Sequence, residues 1–273
     1  MSSLLTVKNL NFEIQGRQLL QDIEFSLASG ELLVVIGRNG AGKSTLLKHL
    51  TAEQKSASAQ ITLFGQELRS HRVKDLARQR AVLAQNTPLN FDYKVLEVVM
   101  LGRIPHQKYQ KETAEDFKIS CECLATVGLT GYENRDYLTL SGGEQQRVHL
   151  ARVLAQLTTL SPQPRLLFLD EPTSSLDISH QHQVLDVVRD LTRQNMGVFA
   201  ILHDLNLAAQ YADRILVLSE GRVLALGKPF EVLTSDILRE AFHHEVLVTK
   251  HPHHDFPLVI STHANRTLES RKS

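Results

Sequence analysis

Residues 37–44 read Gly37-Arg38-Asn39-Gly40-Ala41-Gly42-Lys43-Ser44. They match the pattern G-x-x-x-x-G-K-[ST], in which small residues let backbone N–H groups converge on a phosphate, the lysine approaches the β and γ oxygens, and the hydroxyl ligates Mg²⁺. The apolar run Leu32–Ile36 precedes this stretch, and a helical pattern at 45–52 follows it. Because a buried strand and a helix flank it, a plain glycine turn is the weaker interpretation. The stretch, here called the phosphate loop, predicts a nucleotide site.

The apolar patterns on either side of the phosphate loop predict an α/β fold. Continuous apolar runs at 165–169 and 198–202 suit strands buried on both faces of a parallel sheet, and helical patterns at 180–194 and 205–212 follow them. The first thirty residues alternate instead, which is typical of a half-buried antiparallel sheet. From about residue 86 to about 160 amphipathic helical patterns dominate. We therefore predict a mostly parallel core sheet, an N-terminal antiparallel β subdomain and an inserted α-helical subdomain.

Composition excludes several classes of protein. The 273 residues carry 30 basic and 30 acidic side chains, so the chain lacks the broad positive field of non-specific nucleic-acid binders. We expect no nucleic-acid partner. No apolar run approaches the roughly 18 residues of a membrane span, and the start lacks the pattern of a signal peptide. Cys121 and Cys123 are too few and too close for a disulfide framework, which predicts free, buried thiols.

An acidic pair closes the apolar run at 165–169. Asp170 ends it and Glu171 follows at once. A phosphate loop needs a carboxylate for its metal at the end of a neighbouring strand, and a second carboxylate there can polarise an attacking water. Acidic residues after strands also cap helices, a role open to Asp177 as well. We predict that Asp170 serves Mg²⁺, directly or through water, and that Glu171 acts on water.

The stretch at 140–147, Leu-Ser-Gly-Gly-Glu-Gln-Gln-Arg, opens an amphipathic helix. Ser141 and Glu144 have the spacing of a capping box. Gly142 and Gly143 cost about 1 kcal/mol each relative to alanine inside a helix, so local stability does not explain them. Bare amides at a helix N-terminus bind anions. This stretch, here called the signature motif, therefore predicts a second anion site.

Six motifs occur in one order along the chain. They are the phosphate loop, Gln85 after a strand, the signature motif, Leu-Phe-Leu-Asp-Glu-Pro-Thr at 167–173, Ser-Ser-Leu-Asp at 174–177, and His203 after the next strand. Over about residues 4–235 this set resembles the nucleotide-binding subunit of an ATP-binding-cassette (ABC) transporter. The resemblance implies a P-loop NTPase core of the RecA-like type, and it implies ATP hydrolysis coupled to transport.

The resemblance also implies where the cofactors ATP and Mg²⁺ bind. The residues that bind ATP within the chain are Gly37, Arg38, Asn39, Gly40, Ala41, Gly42, Lys43, Ser44 and Thr45. The residues that serve Mg²⁺ are Ser44, Gln85 and Asp170. In a head-to-tail homodimer, the partner grips the γ-phosphate through Ser141, Gly142, Gly143 and Glu144. The second anion site then belongs to the partner's nucleotide, which accounts for the two glycines.

Four further residues have roles by the same resemblance. Glu171 is the general base, and His203 contacts the γ-phosphate and helps to position the water. Gln85 senses Mg²⁺ and couples the site to the helical subdomain. Asp177 communicates across the dimer. Taken alone, a histidine after a strand is more often structural, so His203 depends on the surrounding motifs.

The chain departs from the family pattern at the adenine. The family commonly stacks adenine on an aromatic residue of the early β region, but Ile14 occupies the aligned position. Phe12 lies two residues earlier on the same strand face. Phe12 is the candidate for adenine contact, with Ile14 as the apolar alternative and an ordinary core role for Phe12 also open.

Cargo, partners and location follow only from the resemblance. The sequences at 141–157, which begin with the signature motif, and at 178–184 look most like those of hemin-import ATPases. This implies two integral-membrane permease subunits, a periplasmic hemin-binding protein acting through them, and a peripheral location at the cytoplasmic face of the inner membrane. The predicted domains are an ATP-binding domain at 1–240 and a His-rich tail at 241–273.

Other functions stay open at this point. Importers of ferric siderophores or cobalamin are close relatives of hemin importers. Soluble ABC ATPases acting on DNA or ribosomes are disfavoured, because the chain has no sustained heptads and only one cassette. A metal- or heme-binding regulatory domain rests on His251, His253 and His254, which lack a firm ligand spacing. We expect those histidines to lie in a solvated tail.

Overall fold

The computed structural model describes residues 3–54, 59–85, 89, 91–107, 111–159 and 163–262. The strands are β1 (Ser3–Ile14), β2 (Arg17–Ala28), β3 (Leu32–Ile36), β4 (Gln60–Leu63), β5 (Gln66–Glu67), β6 (Arg80–Leu83), β7 (Arg165–Asp170), β8 (Met196–Ile201), β9 (Arg214–Ser219), β10 (Arg222–Gly227), β11 (Val246–Lys250) and β12 (Pro257–Ser261). The helices are α1 (Lys43–Leu50), α2 (Val73–Gln79), α3 (Val95–Met100), α4 (Ala114–Thr126), α5 (Gly142–Leu157), α6 (Ile178–Arg193), α7 (Leu205–Tyr211), α8 (Pro229–Val232) and α9 (Ser235–Phe242).

A six-stranded sheet forms the centre of the molecule. Its order is β10-β9-β3-β8-β7-β6, and every neighbouring pair is parallel except β10 with β9. All five residues of β3 are buried, as expected for a strand covered on both faces. The mostly parallel sheet predicted from the apolar runs is thus confirmed. The parallel strands carry the segments that follow them to the same edge, where the candidate site lies.

A second sheet is antiparallel and N-terminal, as predicted. Its order is β2-β1-β4-β5. The alternating burial along β2 buries Ile23, Phe25 and Leu27 and exposes the residues between them. Residues 3–14 form one strand, β1, whose register is irregular where it pairs with β2. Strands β4 and β5 and the helix α2 were not anticipated.

A helical subdomain interrupts the core after β6. Helices α3, α4 and α5 pack against each other, within the region where helical patterns dominate the sequence. The buried pair Arg103–Asp116 joins the short 3-10 helix Leu101–His106 to α4, with Nε to Oδ1 at 2.9 Å. Residues 86 and 160, the predicted limits of this subdomain, lie outside the described residues.

The C-terminal part contains a hairpin that the sequence analysis did not predict. Strands β11 and β12 pair antiparallel after α9. The Asn206 side chain, on α7, holds β12 at both backbone groups of Val259: the amide donates to its carbonyl at 3.1 Å, and its oxygen accepts from the backbone N–H at 2.8 Å. The predicted division at residue 240 falls within α9. His251, His253 and His254 lie in the turn of this hairpin, whereas His263 and 265–273 lie outside the described residues.

Two smaller expectations concern the thiols and the membrane. Cys123 is buried and Cys121 is half-buried, and both are free, as predicted. Burial raises the pKa of Cys123 to about 11, so this thiol stays protonated and unreactive at neutral pH. Over the part of the chain that the structure describes, each helix is too short or too polar to cross a bilayer.

Candidate active site

The phosphate loop joins β3 to α1 as the sequence predicted. Gly37 has a φ of 155°, and a Cβ added there would lie 2.2 Å from the carbonyl oxygen of Leu218. Gly42 has a φ of 106° and forms the N-cap of α1 without any side-chain cap. Only glycine meets both requirements without moving the backbone. The first amides of α1 are therefore left to a ligand.

Lys43 lies buried at the start of α1. Its Nζ donates to the carbonyl oxygen of Gly37 at 2.6 Å and to that of Arg38 at 3.0 Å. Burial lowers the pKa of Lys43, and the nearby carboxylates of Glu171 and Asp170 oppose that shift. The loop's own carbonyls thus hold the ammonium in place, where a phosphate can replace them as its partner.

Asp170 is the last residue of β7. Burial raises the pKa of its carboxyl, and the neighbouring charge of Glu171 raises it further. Its Oδ1 is buried without a hydrogen-bond partner among the described residues. A buried carboxylate oxygen without a partner is costly, and a bound cation removes that cost. Carboxylate oxygens are among the ligands that Mg²⁺ prefers.

Glu171 and two predicted partners form a connected cluster. The Oε2 of Glu171 accepts from Gln85 Nε2 at 2.6 Å, and its Oε1 contacts His203 Nε2 at 2.5 Å. Gln85, Glu171 and His203 follow β6, β7 and β8, which are neighbours in the central sheet. Three residues that are far apart in the sequence therefore meet at one edge. This carboxylate has partners at both oxygens and still has lone pairs for a water.

The backbone of Glu171 is held in an uncommon conformation. Its φ is 51°, in the left-handed region that non-glycine residues seldom adopt. Its backbone N–H donates to the carbonyl of Ile201 at 3.1 Å, and its carbonyl accepts from Gln146 Nε2 at 3.3 Å. Such strained positions persist only where the surroundings fix them, and they concentrate at functional sites.

Two cavities adjoin the phosphate loop. The larger, of about 690 Å³, is lined by Gly37, Arg38 and Asn39 of the loop and by His203. Residues of the C-terminal hairpin also line it. The smaller, of about 470 Å³, lies between the same loop and the start of β2. Ser44 is exposed beside them, at the second position of α1. The loop is thus accessible to a ligand from both sides.

The signature motif begins α5 with the predicted capping box. The N–H of Glu144 donates to Ser141 Oγ at 3.3 Å, and the N–H of Ser141 donates to Glu144 Oε2 at 2.8 Å. The hydroxyl of Tyr132 donates to Glu144 Oε1 at 2.9 Å. Hydrogen bonds from Ser141 and Tyr132 lower the pKa of Glu144, so this carboxylate is charged and occupied within its own chain.

The two glycines of the signature motif have different surroundings. A Cβ at Gly143 would lie 3.1 Å from Leu176 Cδ2, so this glycine allows a close contact with the 174–177 segment. A Cβ at Gly142 would meet no atom of the described chain within 4 Å. Packing within the chain therefore accounts for one glycine and leaves the other without a reason.

Gln146 is a residue that the sequence analysis did not single out. Besides Glu171, it contacts Ser175, whose hydroxyl donates to Gln146 Oε1 at 2.5 Å. It thus links the signature helix to the acidic pair and to the 174–177 segment. Its position inside the signature motif was the one feature of the sequence that could have identified it as a functional residue.

Asp177 is the N-cap of α6, and its Oδ1 accepts from the backbone N–H of His180 at 2.9 Å.

Some predicted residues are not brought together. Among the hydrogen bonds of the described residues, none joins Ser141 to the phosphate loop. The half-buried ring of Phe12 packs edge-on against the ring of His49, with centroids 4.6 Å apart, and Phe12 lines neither cavity beside the loop. The phosphate loop and the cluster around Glu171 therefore form one site. Gln146 of the signature motif contacts this site, whereas the hydrogen bonds of the Ser141 side chain among the described residues do not reach it.

Comparison with known proteins agrees with this geometry. Residues 20–174 match the family model described as ABC transporter. The chain is 56% identical over 260 residues to the hemin import ATP-binding protein HmuV of Deinococcus radiodurans, covering 95% of this chain and 98% of that protein. The HmuV of Escherichia coli O157:H7 is 42% identical over 263 residues, covering 95% of this chain and all of that protein.

Solved structures give the same answer for the fold. A structure described as an inward-facing conformation of a metal-chelate type ABC transporter superposes with a TM-score of 0.81 at 29% identity, covering 96% of this chain and 99% of that chain. The ADP conformation of the ATP-binding cassette MJ1267 superposes with a TM-score of 0.76 at 22% identity, covering 90% of this chain and all of that one. The chain belongs to the ABC transporter family, as an ATP-binding subunit that couples ATP hydrolysis to transport.

Proposed function

We propose that this chain is the ATPase subunit of a bacterial hemin importer. The observation that carries the proposal is the 56% identity to a hemin import ATP-binding protein over 95% of the chain. Two further proteins of that name, at 42% and 44% identity, support it. The subunit would act as a homodimer at the cytoplasmic face of the inner membrane, beneath two permease subunits fed by a periplasmic hemin-binding protein.

For nucleotide binding, we assign the phosphates of ATP to the phosphate loop and the start of α1. The uncapped amides of α1 suit an anion, and Lys43 exchanges its two carbonyl partners for phosphate oxygens. Ser44, Asp170 and Gln85 would hold Mg²⁺. This ion neutralises phosphate charge when bound. The unpartnered Oδ1 of Asp170 supports the assignment.

For hydrolysis, we assign Glu171 as the general base. Its carboxylate takes the proton of the attacking water, and His203 and Gln85 fix its orientation through the contacts at its two oxygens. His203 and the phosphate loop also line the same cavity, which supports a contact between His203 and the γ-phosphate. The base is thus held beside the loop before nucleotide arrives, which reduces reorganisation during the reaction.

For assembly, we assign the signature motif to the nucleotide of a partner subunit. Gly142 has no atom of the described chain within 4 Å of where a Cβ would be. Among the hydrogen bonds of the described residues, the Ser141 side chain bonds its own helix start. Both features suit a surface that receives a phosphate from outside the chain. Ser175 and Gln146 form a hydrogen-bonded path from the adjoining 174–177 segment back to Glu171. We assign Asp177, in the same segment, to communication across the dimer.

Reconstitution with the cognate permease in lipid discs tests the cargo. We expect hemin, presented by its binding protein, to accelerate ATP hydrolysis at least severalfold, and we expect Glu171→Gln complexes to show no acceleration. Acceleration by a ferric siderophore or by cobalamin instead of hemin would reject hemin as cargo and retain the importer. The structural similarity to a metal-chelate type transporter is the observation that favours a ferric siderophore as the second candidate.

A further inference from the structure

The start of β2 forms one wall of the smaller cavity. Ile14 and Arg17 are cross-strand partners on either side of a two-residue turn, Gln15 and Gly16, whose φ values are 49° and 77°. Two positive φ values in a two-residue loop are typical of a tight hairpin turn that matches the twist of the strands. Directly opposed residues of a hairpin project to the same face, so the side chains of Ile14 and Arg17 lie side by side.

A bulge brings this hairpin against the phosphate loop. Phe12 pairs with Leu20 and Glu13 pairs with Gln18, so Leu19 is an extra residue on β2. The carbonyl oxygen of Leu19 lies 3.0 Å from where a Cβ of Gly42 would be. Bulges redirect the side chains beside them. This one leaves Arg17 and Gln18 exposed at the cavity while the remaining alternate positions of β2 face the core.

The smaller cavity lies between the phosphate loop and this hairpin. One wall is residues 38–41 of the phosphate loop, the other is Arg17 and Gln18, and Glu220 and His243 lie at its margin. Its volume of about 470 Å³ is within the range of small-ligand sites. A ligand whose phosphates occupy the loop would direct its remaining part towards the hairpin.

Arg17 is available for that ligand. It is exposed, and among the ion pairs and hydrogen bonds of the described residues none uses its guanidinium. A guanidinium is planar and stacks on aromatic faces, including those of bases. Phe12, by contrast, already packs against the buried imidazole of His49 on the core side of β1.

We propose that Arg17 is the residue that binds the nucleobase, its guanidinium stacked on the purine face with Ile14 packed at the edge, in place of an aromatic side chain. The proposal rests on the proposed function, because it assumes that ATP occupies the phosphate loop. The chain thereby recognises the base with a cation on a hairpin rather than with a ring. The triphosphate is bound elsewhere, so base contact and phosphate contact are separable.

Titration calorimetry on the full-length chain tests this with ATP and with inorganic tripolyphosphate. We expect Arg17→Ala to weaken ATP binding about tenfold, the loss typical of one stacking contact. Tripolyphosphate should bind within about twofold of wild type, because stacking requires a base. The matched variant Arg17→Lys keeps the charge and loses the plane, so we expect it to behave as Arg17→Ala. Arg17→Tyr should restore ATP affinity.

Several outcomes would overturn the assignment. Equal losses for ATP and tripolyphosphate, or full ATP affinity in Arg17→Lys, would make Arg17 a phosphate-attracting charge. A larger ATP-specific loss in Phe12→Leu than in Arg17→Ala would transfer the role to Phe12. Failure of the wild-type chain to bind ATP would reject the proposed function, whereas normal ATP binding in Arg17→Ala would reject only this inference.

Discussion

Glu171 shows how a single residue is set for chemistry by groups from three strands. Its left-handed backbone, with a φ of 51°, places the carboxylate between the amide of Gln85 and the imidazole of His203. A residue with this φ and with partners at both carboxylate oxygens has little freedom to rotate. For Glu171 as the proposed general base, the carboxylate is therefore oriented by its own chain and does not need the substrate to orient it.

Substitutions at the loop lysine and the base should separate binding from turnover. We expect Lys43→Ala to lose ATP binding, because the ammonium is the main point charge at the loop. Glu171→Gln should keep binding and reduce turnover by about 100-fold or more, the range for loss of a general base. Equilibrium ATP binding and steady-state phosphate release measure the two effects.

The matched comparison is between the two variants at Asp170 and Glu171. Asp170→Asn should weaken Mg²⁺-dependent ATP binding, whereas Glu171→Gln should leave it unchanged. Near-normal turnover in Glu171→Gln would reject the base assignment.

For single residues, the sequence predicted which residues belong to the candidate site better than it predicted which of them touch each other. Gln85, Glu171 and His203 follow apolar strands, and parallel strands bring their carboxyl ends to one edge, so their meeting was predictable. Gln146 was not, because its contacts to Glu171 and Ser175 depend on how α5 approaches the loop after β7. No pattern in the sequence reports that approach. The same limit applies to Phe12, whose partner His49 comes from another element.

Among the elements, the N-terminus of α5 has a glycine that its own chain does not need. Gly142 lies in open space, whereas Gly143 lies against Leu176. Because packing within the described chain does not explain Gly142, we infer that this glycine serves a contact outside the chain. We take this as the local mark of the partner's nucleotide.

Gly142→Ala provides a test in which stability and activity should move apart. We expect the variant to be unchanged or up to about 1 kcal/mol more stable, because alanine favours helix and no atom obstructs its Cβ. We expect ATPase activity to fall at least tenfold, because the methyl group covers the amides that receive the phosphate. Urea unfolding and phosphate release measure the two. A variant that gains stability and keeps full activity would contradict a role in the partner's site.

The buried Arg103–Asp116 pair should make the helical subdomain sensitive to acid. Burial alone would raise the pKa of Asp116, but hydrogen bonds from Thr113 and Arg103 lower it below its ordinary value of 3.8. A carboxyl with a lowered pKa in the fold stabilises the protein above its unfolded pKa, and this contribution is lost as pH falls through the folded pKa.

We therefore expect Asp116→Asn to cost about 3–5 kcal/mol at pH 7, the range for breaking a buried ion pair. The difference from wild type should shrink as pH falls below about 4, because the carboxyl of the unfolded wild-type chain takes up a proton there and the folded one does so only at lower pH. Urea unfolding across that pH range measures it. A difference that is constant with pH would show that packing, not charge, holds the two elements together.

Element boundaries were predictable where one pattern dominated. Helices α1, α6 and α7 lie within two residues of the predicted ranges at every end. Strands β11 and β12 were missed although Val246, Val248 and Val259 favour strands. Histidine and proline around the turn at 251–254 gave that segment a loop-like composition. Two hydrogen bonds from Asn206 on α7 anchor this segment, and its composition does not predict that contact.

At the scale of the whole molecule, the proposed assembly makes each chain the carrier of half of a site. The phosphate loop and the Glu171 cluster meet at one edge of the central sheet, while the hydrogen bonds of Ser141 stay within its own helix start. A head-to-tail pairing of two identical chains is a closed two-fold arrangement, and it would complete two sites at once. Hydrolysis should then depend on subunit concentration.

Ser141→Arg and dilution test that dependence. We expect the variant to bind ATP as wild type does and to lose turnover by about 100-fold, because arginine obstructs the surface that receives the partner's phosphate. In wild type at high dilution, the specific activity should fall with subunit concentration. Specific activity that stays constant on dilution would contradict a shared site.

The two hydrogen bonds between the Asn206 side chain and Val259 anchor β12 to the start of α7. Asn206 lies three residues after His203, in the first turn of α7. Trimming the chain before residue 257 would remove both hydrogen-bond partners of the Asn206 side chain, and the first turn of α7 would lose its contact with β12. Shortened versions made for crystallisation, or fusions that pull on this end, would therefore change the surroundings of His203 while every motif remained intact.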